Sequence, residues 1–180
     1  MSPTFTSMQP TKSSVVISHE EAGVKRSVSV LLVDTPGSGR LRGHLFSELA
    51  DCSALICVID GTSLGSHAKE AAQLLYDVLT HEAIERSPPP LLVVVNKSDL
   101  RGVMSPAAAR RALEIEVTRV RLARTTMQDT SERSRPLRGI ASGDASRSFS
   151  FDQLDGGVQF VSCSAAQPDL GQLNQFILRR

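Results

Sequence analysis

The chain has 180 residues, 41% of them hydrophobic and 22% charged, and a net charge of +1. That is the size and composition of one globular domain with room for a proper core. The near-neutral balance excludes a global field for nucleic acid or membrane surfaces, and no apolar run approaches the roughly 18 residues that a membrane-spanning helix needs. The charge is uneven all the same: residues 101–147 hold ten Arg against five acids. Such a stretch reads first as a solvated face and second as a contact for an acidic partner or lipid headgroups. Cys52, Cys57 and Cys163 form no CxxC pair and have no His at metal spacing, so all three read as reduced thiols of a protein exposed to the cytosol.

Taken in order, Ser14–Ile17 predicts a short strand, Gly23–Arg26 a turn, and Val28–Val33 a hairpin partner. That second strand ends in Asp34-Thr35-Pro36-Gly37. An Asp at a strand's carboxyl end can hold Mg²⁺ through water, and a Gly three residues on can bring its N–H to a phosphate. An ordinary strand-to-helix turn uses the same residues, and both readings stay open here. Leu41, Leu45 and Leu49 give Ser38–Ala50 a helical period. Ala54–Ile59 is an unbroken apolar run and predicts a central strand, closing in Asp60-Gly61-Thr62-Ser63. Ser66–Arg86 predicts a single helix with Ala71, Leu74, Leu75, Val78 and Leu79 inward, stopped by Ser87 and three prolines.

Leu91–Val95 is apolar throughout, as in a strand buried on both faces of a parallel sheet. It runs directly into Asn96-Lys97-Ser98-Asp99, which therefore stands at the carboxyl end of a buried strand, where open α/β sheets bind ligands. There Asp99 can accept two hydrogen bonds from a base with adjacent N–H donors, as guanine offers and adenine does not. Asn96 can bridge loops, and the Lys97 stem can lie over the ring. A polar turn after a strand is the plainer alternative. Ser105-Pro106 reads as a helix cap and first turn, and the helix is expected to reach about Arg124. Residues 126–148, rich in Ser, Arg, Thr and Gly, read as a flexible insertion. Val158–Val161 predicts a last strand ending in Ser162-Cys163-Ser164-Ala165, and Asp169 a cap for a closing helix with Leu170, Leu173, Phe176 and Ile177 inward.

Strands alternating with helices predict an α/β fold with a mainly parallel sheet. Three strand ends carry motifs in one order: Asp-Thr-Pro-Gly, Asn-Lys-Ser-Asp and Ser-Cys-Ser-Ala. In this the chain resembles the G domain of small GTPases. Asp34–Gly37 matches that family's switch II motif, Asn96–Asp99 its guanine motif, Cys163-Ser164-Ala165 its last base-contacting loop, and Thr6 its switch I threonine. Finer features resemble one subfamily, the β subunit of the signal recognition particle receptor. They are Thr4-x-Thr6-Ser7-Met8, Asp34-x-Pro36-Gly37 with Arg40-Leu41-Arg42, Leu113-Glu114-x-Glu116 followed by Arg121 and Arg124-Thr125, and Phe149-x-Phe151-x-x-Leu154 before Val158-x-Phe160.

The resemblance implies a G-domain-like three-layer sandwich with GTP and Mg²⁺ as cofactors. Asn96, Lys97, Asp99, Ser164, Ala165 and Gly37 would contact the nucleotide, and Thr6 and Asp34 the metal. It implies a role in co-translational targeting at the cytosolic face of the endoplasmic reticulum membrane. The partners it implies are the receptor α subunit and, indirectly, signal recognition particle and the ribosome, with no direct nucleic-acid contact. Two departures qualify it. None of the four lysines, Lys12, Lys25, Lys69 and Lys97, follows a Gly and precedes Ser or Thr, so no G-x-x-x-x-G-K-[ST] phosphate loop occurs. The expectation is a single partial G domain, truncated at its N-terminus, without its first strand, phosphate loop, first helix and membrane anchor. Two strand edges would then stand unpaired, and GTP would bind weakly. Ser38 also stands where such enzymes place a residue that orients the attacking water, which makes hydrolysis doubtful. Two other functions fit the same residues: a nucleotide-independent interaction module, and a trafficking GTPase of the Arf or Sar type.

Overall fold

The computed structural model describes residues 10–21, 24–37, 42–128, 147–167 and 170–179. Two sheets are present among them. Strands β1 (Thr11–Glu21) and β2 (Val24–Asp34) pair antiparallel, with Thr11 opposite Asp34 and Ser18 opposite Ser27. Each is longer than its apolar centre predicts, and Lys25 and Arg26 belong to β2 rather than to a turn. A ladder extends through polar residues as long as backbone groups find partners, so side-chain pattern understates its length.

The second sheet runs β3 (Leu55–Asp60), β4 (Leu91–Asn96), β5 (Val158–Ser162), all parallel, with β4 in the middle. Its strands alternate with helices α1 (Arg42–Glu48), α2 (Leu64–Leu79), α3 (Glu82–Arg86), α4 (Pro106–Gln128) and α5 (Gly171–Leu178). β4 is buried from Leu91 to Val95, as its unbroken apolar run requires. Its alternate side chains enter opposite cores. Leu91, Val93 and Val95 pack with α2 and α4 through Leu75, Tyr76, Leu113 and Val117. Leu92 and Val94 pack on the other face with Cys163 and Phe176 of the α5 side. The result is the expected α/β three-layer sandwich.

β3 departs from expectation. Among the described residues it pairs only with β4, at the edge of the described sheet, and Val58 is 62% exposed. No hydrogen-bonded ladder joins β2 to β3 among the described residues. The hairpin is instead held by α5, which packs on β1, and by a 2.8 Å ion pair from Lys12 to Glu48.

The predicted helix at 66–86 is two helices. Thr80 Oγ1 donates back to the Tyr76 carbonyl at 2.8 Å. His81, in an extended conformation, caps α3 by accepting the Ala83 N–H. Together they end α2 and restart the chain, a break made by side-chain-to-backbone bonds with no Gly or Pro to announce it. α4 begins as expected, with Ser105 Oγ accepting the Ala108 N–H at 3.3 Å, but it runs to Gln128. The first residues of the Ser/Arg-rich stretch are therefore helical, and 129–146 lie outside the described residues. Leu170, expected to point inward, is 37% exposed and precedes α5 as its N-cap residue, while Asp169 lies outside the described residues.

Four of the five arginines of α4 have partners within the chain. Arg110 pairs with Glu114 and Asp152, Arg119 with Glu116, and Arg124 with Asp77 at 2.8 Å while lying over the Tyr76 ring. Arg121 is 3% exposed and donates to the Arg147 carbonyl. Glu114 Oε1 accepts the Phe151 N–H at 3.0 Å, and Thr118 Oγ1 the Phe149 N–H at 2.9 Å, so α4 also fixes the chain that leads into β5.

Leu113 has no exposed surface, whereas Ile115, two residues on, is 54% exposed. Leu113→Ala is expected to cost about 2–5 kcal/mol. Ile115→Ala should stay within about 0.5 kcal/mol of the parent. Urea unfolding of the two variants measures this, and equal costs would contradict the packing of α4 on β4.

Candidate functional site

The carboxyl ends of β3, β4 and β5 form one rim, and each sends a short polar segment over it. β4 sets the frame because it is paired on both sides and buried on both faces. Beyond it the Asn96 side chain turns toward β5, where Oδ1 accepts the Ala165 N–H at 3.1 Å and the Cys163 thiol at 3.5 Å. Asp99 Oδ1 accepts the Ser164 hydroxyl at 2.6 Å, and Ser164 Oγ in turn accepts the Gln167 N–H at 3.0 Å. Ser164 is 2% exposed, so its hydroxyl is fully committed between these two partners. The Ser98 N–H reaches the Cys163 carbonyl at 3.0 Å. Asn96, Asp99, Ser164 and Ala165 are thus one hydrogen-bonded unit.

Lys97 lies between them with φ +70°, the only residue other than Gly found in the left-handed region among those described. A left-handed lysine carries a conformational cost of about 1 kcal/mol or more, held by the surrounding bonds. It reverses the chain so that the Leu100 N–H closes on the Lys97 carbonyl at 3.0 Å. The Lys97 ammonium meets Asp60 Oδ2 at 2.7 Å. Asp60 stands opposite Asn96 in the ladder, and its Oδ1 also accepts the Thr62 N–H at 2.9 Å and hydroxyl at 2.6 Å. The Lys97 hydrogen bond first, and then Thr62, holds the Asp60 carboxyl well below the usual carboxylate range.

Gly61 lets this corner close. Its N–H donates to the Asn96 carbonyl at 3.1 Å, and a Cβ there would stand 2.6 Å from side-chain atoms of both Val95 and Val103. Cys57, one turn of the pleat below, is a thiol that burial pushes up to about 11. Its proton stays on at neutral pH and it takes no part in the rim's charge.

Five of the sequence-derived nucleotide residues, Asn96, Lys97, Asp99, Ser164 and Ala165, are therefore brought together. Asp34 is exposed at the end of β2 and Gly37 is exposed beyond it. No hydrogen bond among the described residues links either to the Asn96 loop. Thr6 and Ser38 lie outside the described residues, and no group of three or more His, Cys, Asp or Glu among those described is arranged to hold a metal. The residue that sequence reasoning passed over is Asp60. Its signal was available: an Asp closing an apolar strand next to the Asn-Lys strand.

Asp99 is exposed, and no hydrogen bond to its second oxygen is present among the described residues. Asn96 is held by the β5 loop, and Lys97 supplies an apolar stem with its charge already neutralised.

Comparison with known proteins places this geometry. Residues 1–158 match the family described as signal recognition particle receptor beta subunit. Signal recognition particle receptor subunit beta of Dictyostelium discoideum is 32% identical over 144 residues, which covers 80% of this chain and 49% of that one. The Mus musculus protein of the same description is 30% identical over 141 residues, covering 78% and 52%. The chain thus spans about half the length of the relatives it matches. Among solved structures, one described as the mammalian SRP receptor superposes with a TM-score of 0.78 at 25% identity, covering 99% of this chain and 86% of that one. The SRb-GTP/SRX complex from Chaetomium thermophilum superposes at 0.76 and 22% identity, covering 99% and 81%, and at that identity it speaks for the fold alone.

The Asp60–Lys97 pair has a pH signature. A carboxyl lowered in the folded state stabilises the fold at every pH above its unfolded value near ~3.9, and that stabilisation disappears only as pH falls through the lower folded value. The side chains are 35% and 47% exposed, so the pair adds little to total stability and its effect is local. The carboxyl carbon of Asp60, followed by NMR, is expected to stay ionised down to about pH 3, where a free aspartate is mostly protonated. A midpoint near 4 would show that the pair does not form in solution.

Proposed function

The chain belongs to the signal recognition particle receptor beta subunit family, and from that premise we propose that it carries the guanine-recognising half of a GTP-binding receptor subunit. One observation carries the reading. Asp99 and Asn96, at the end of a doubly buried strand, are bonded to Ser164 and Ala165 at the end of the next, and this fixes one acceptor carboxylate at the rim. In the proposed complex Asp99 accepts the N1–H and 2-amino hydrogens of guanine. Asn96 holds the β5 loop against the base edge, Ala165 offers its backbone there, and the Lys97 stem covers one ring face. Gly37 on the phosphate side, and Asp34 with Thr6 at Mg²⁺, complete the assignment. Their support is their motif and their place at the end of β2. The 180 residues contain no G-x-x-x-x-G-K-[ST] loop, so this polypeptide by itself is expected to hold the base better than the triphosphate.

Family membership sets the trafficking-GTPase alternative aside and brings the wider role into view: a subunit of the receptor at the endoplasmic reticulum membrane, acting in protein targeting. We propose the cytosolic face as its place and the receptor α subunit as its direct partner. No helix among the described residues is long and apolar enough to cross a membrane. A nucleotide-independent pairing module would use the same fold without the Asp99 acceptor.

Asp99→Asn tests the reading. Replacing one acceptor oxygen by an N–H₂ donor should turn preference from GDP toward xanthosine diphosphate, by about tenfold or more in relative affinity. Competition binding measures it. An unchanged preference removes Asp99 from the site and leaves the pairing module as the better account.

A further inference from the structure

Lys97 has two carboxylates to consider: Asp99, two residues along its own chain, and Asp60, at the end of the adjacent strand. It is bonded to the second, with Nζ 2.7 Å from Asp60 Oδ2. Asp99 is bonded to Ser164 instead. An ammonium on a four-carbon stem is a mobile point charge, so which carboxylate it meets depends on which is better placed to receive it. Asp60 is placed by three constraints. Thr62 fixes Oδ1 through its N–H and its hydroxyl, which leaves Oδ2 for Lys97. Gly61 brings the end of β3 against the Asn96 carbonyl, an approach that a Cβ would obstruct. The left-handed backbone of Lys97 fixes the direction from which its stem departs.

We propose that Asp60 is a positioning residue for the base site: by capturing the Lys97 ammonium it keeps that charge off Asp99 and holds the lysine stem toward the end of β3. The proposal rests on the guanine reading of the same rim. Its chemistry is a competition between two acceptors for one cation. With the Lys97 ammonium held by Asp60, the second oxygen of Asp99 is left to paired hydrogen bonds with neutral donors, which a carboxylate accepts strongly. With Asp60 removed, the ammonium folds onto Asp99 and occupies the positions that N1–H and the 2-amino group would take. Asp60 therefore favours neutral purines with adjacent donors without touching the base itself.

The test uses the whole chain with GDP and guanosine as probes. Asp60→Ala is expected to weaken both by about tenfold. Adding Lys97→Met, which keeps an apolar stem and removes the charge, should recover at least about threefold of that loss. Asp60→Asn, which keeps an acceptor, should fall between parent and Asp60→Ala, and paired with Lys97→Met it repeats the rescue if Asp60→Ala does not fold. A double variant that binds no better than the single one overturns the proposal, because Asp60 would then serve only the turn at Thr62. A ligand-free readout separates the two levels of inference. The Asp99 carboxyl carbon resonance is expected to move in the Asp60 variant and to return in the double variant, and an unmoved resonance also overturns the proposal. If that resonance responds while the parent binds neither GDP nor guanosine, capture of Lys97 stands and the guanine reading falls.

Discussion

Two hydrogen bonds between neighbouring strand ends hold the rim together: Asn96 Oδ1 with the Ala165 N–H, and Asp99 Oδ1 with the Ser164 hydroxyl. Without them the loops after β4 and β5 would be independent surface turns. With them, a carboxylate and an amide are fixed relative to a backbone N–H of another strand, as a planar heterocycle requires. Their precision comes from β4, which is buried on both faces and paired on both edges, so the loop starts from the most constrained strand of the described sheet.

The same arrangement distributes charge economically. Lys97 and Asp60 pair across the β3–β4 boundary, and Asp99 is supported by a neutral hydroxyl, with no cation partner among the described residues. A cation there would favour anionic groups, whereas a carboxylate with a neutralised lysine beside it favours a neutral ligand with paired donors. Farther from the rim, four of the five arginines of α4 have partners within the chain. Glu114, Asp152, Glu116 and Asp77 account for three of them, and Arg121 is buried against the Arg147 carbonyl.

Much of this was legible in the sequence, for a physical reason. An unbroken apolar run from Leu91 to Val95 can be satisfied only by burial on both faces, and polar residues immediately after it must lie at a strand end. The run at Leu55–Ile59 reads the same way, yet β3 stands at the edge of the described sheet with Val58 exposed. Composition reports what a strand would bury, and it cannot report which neighbours are present to bury it. The division of α2 from α3 was hidden because Thr80 and His81 stop and restart a helix through side-chain bonds that ordinary helix interiors also contain. Asp60 was legible as an Asp closing an apolar strand, but its partner was not: only the pairing of β3 with β4 sets it opposite Asn96 and within reach of Lys97.

The central claim is that the loops after β4 and β5 form one guanine-selective surface, and the most direct measurement is amide mapping by NMR with GDP and ADP titrated separately. The expected result is that GDP shifts the backbone resonances of Asn96–Asp99 and of Ser164–Ala165 together, while ADP leaves both groups nearly unmoved. Equal response to the two nucleotides, or shifts confined to other parts of the chain, would contradict it.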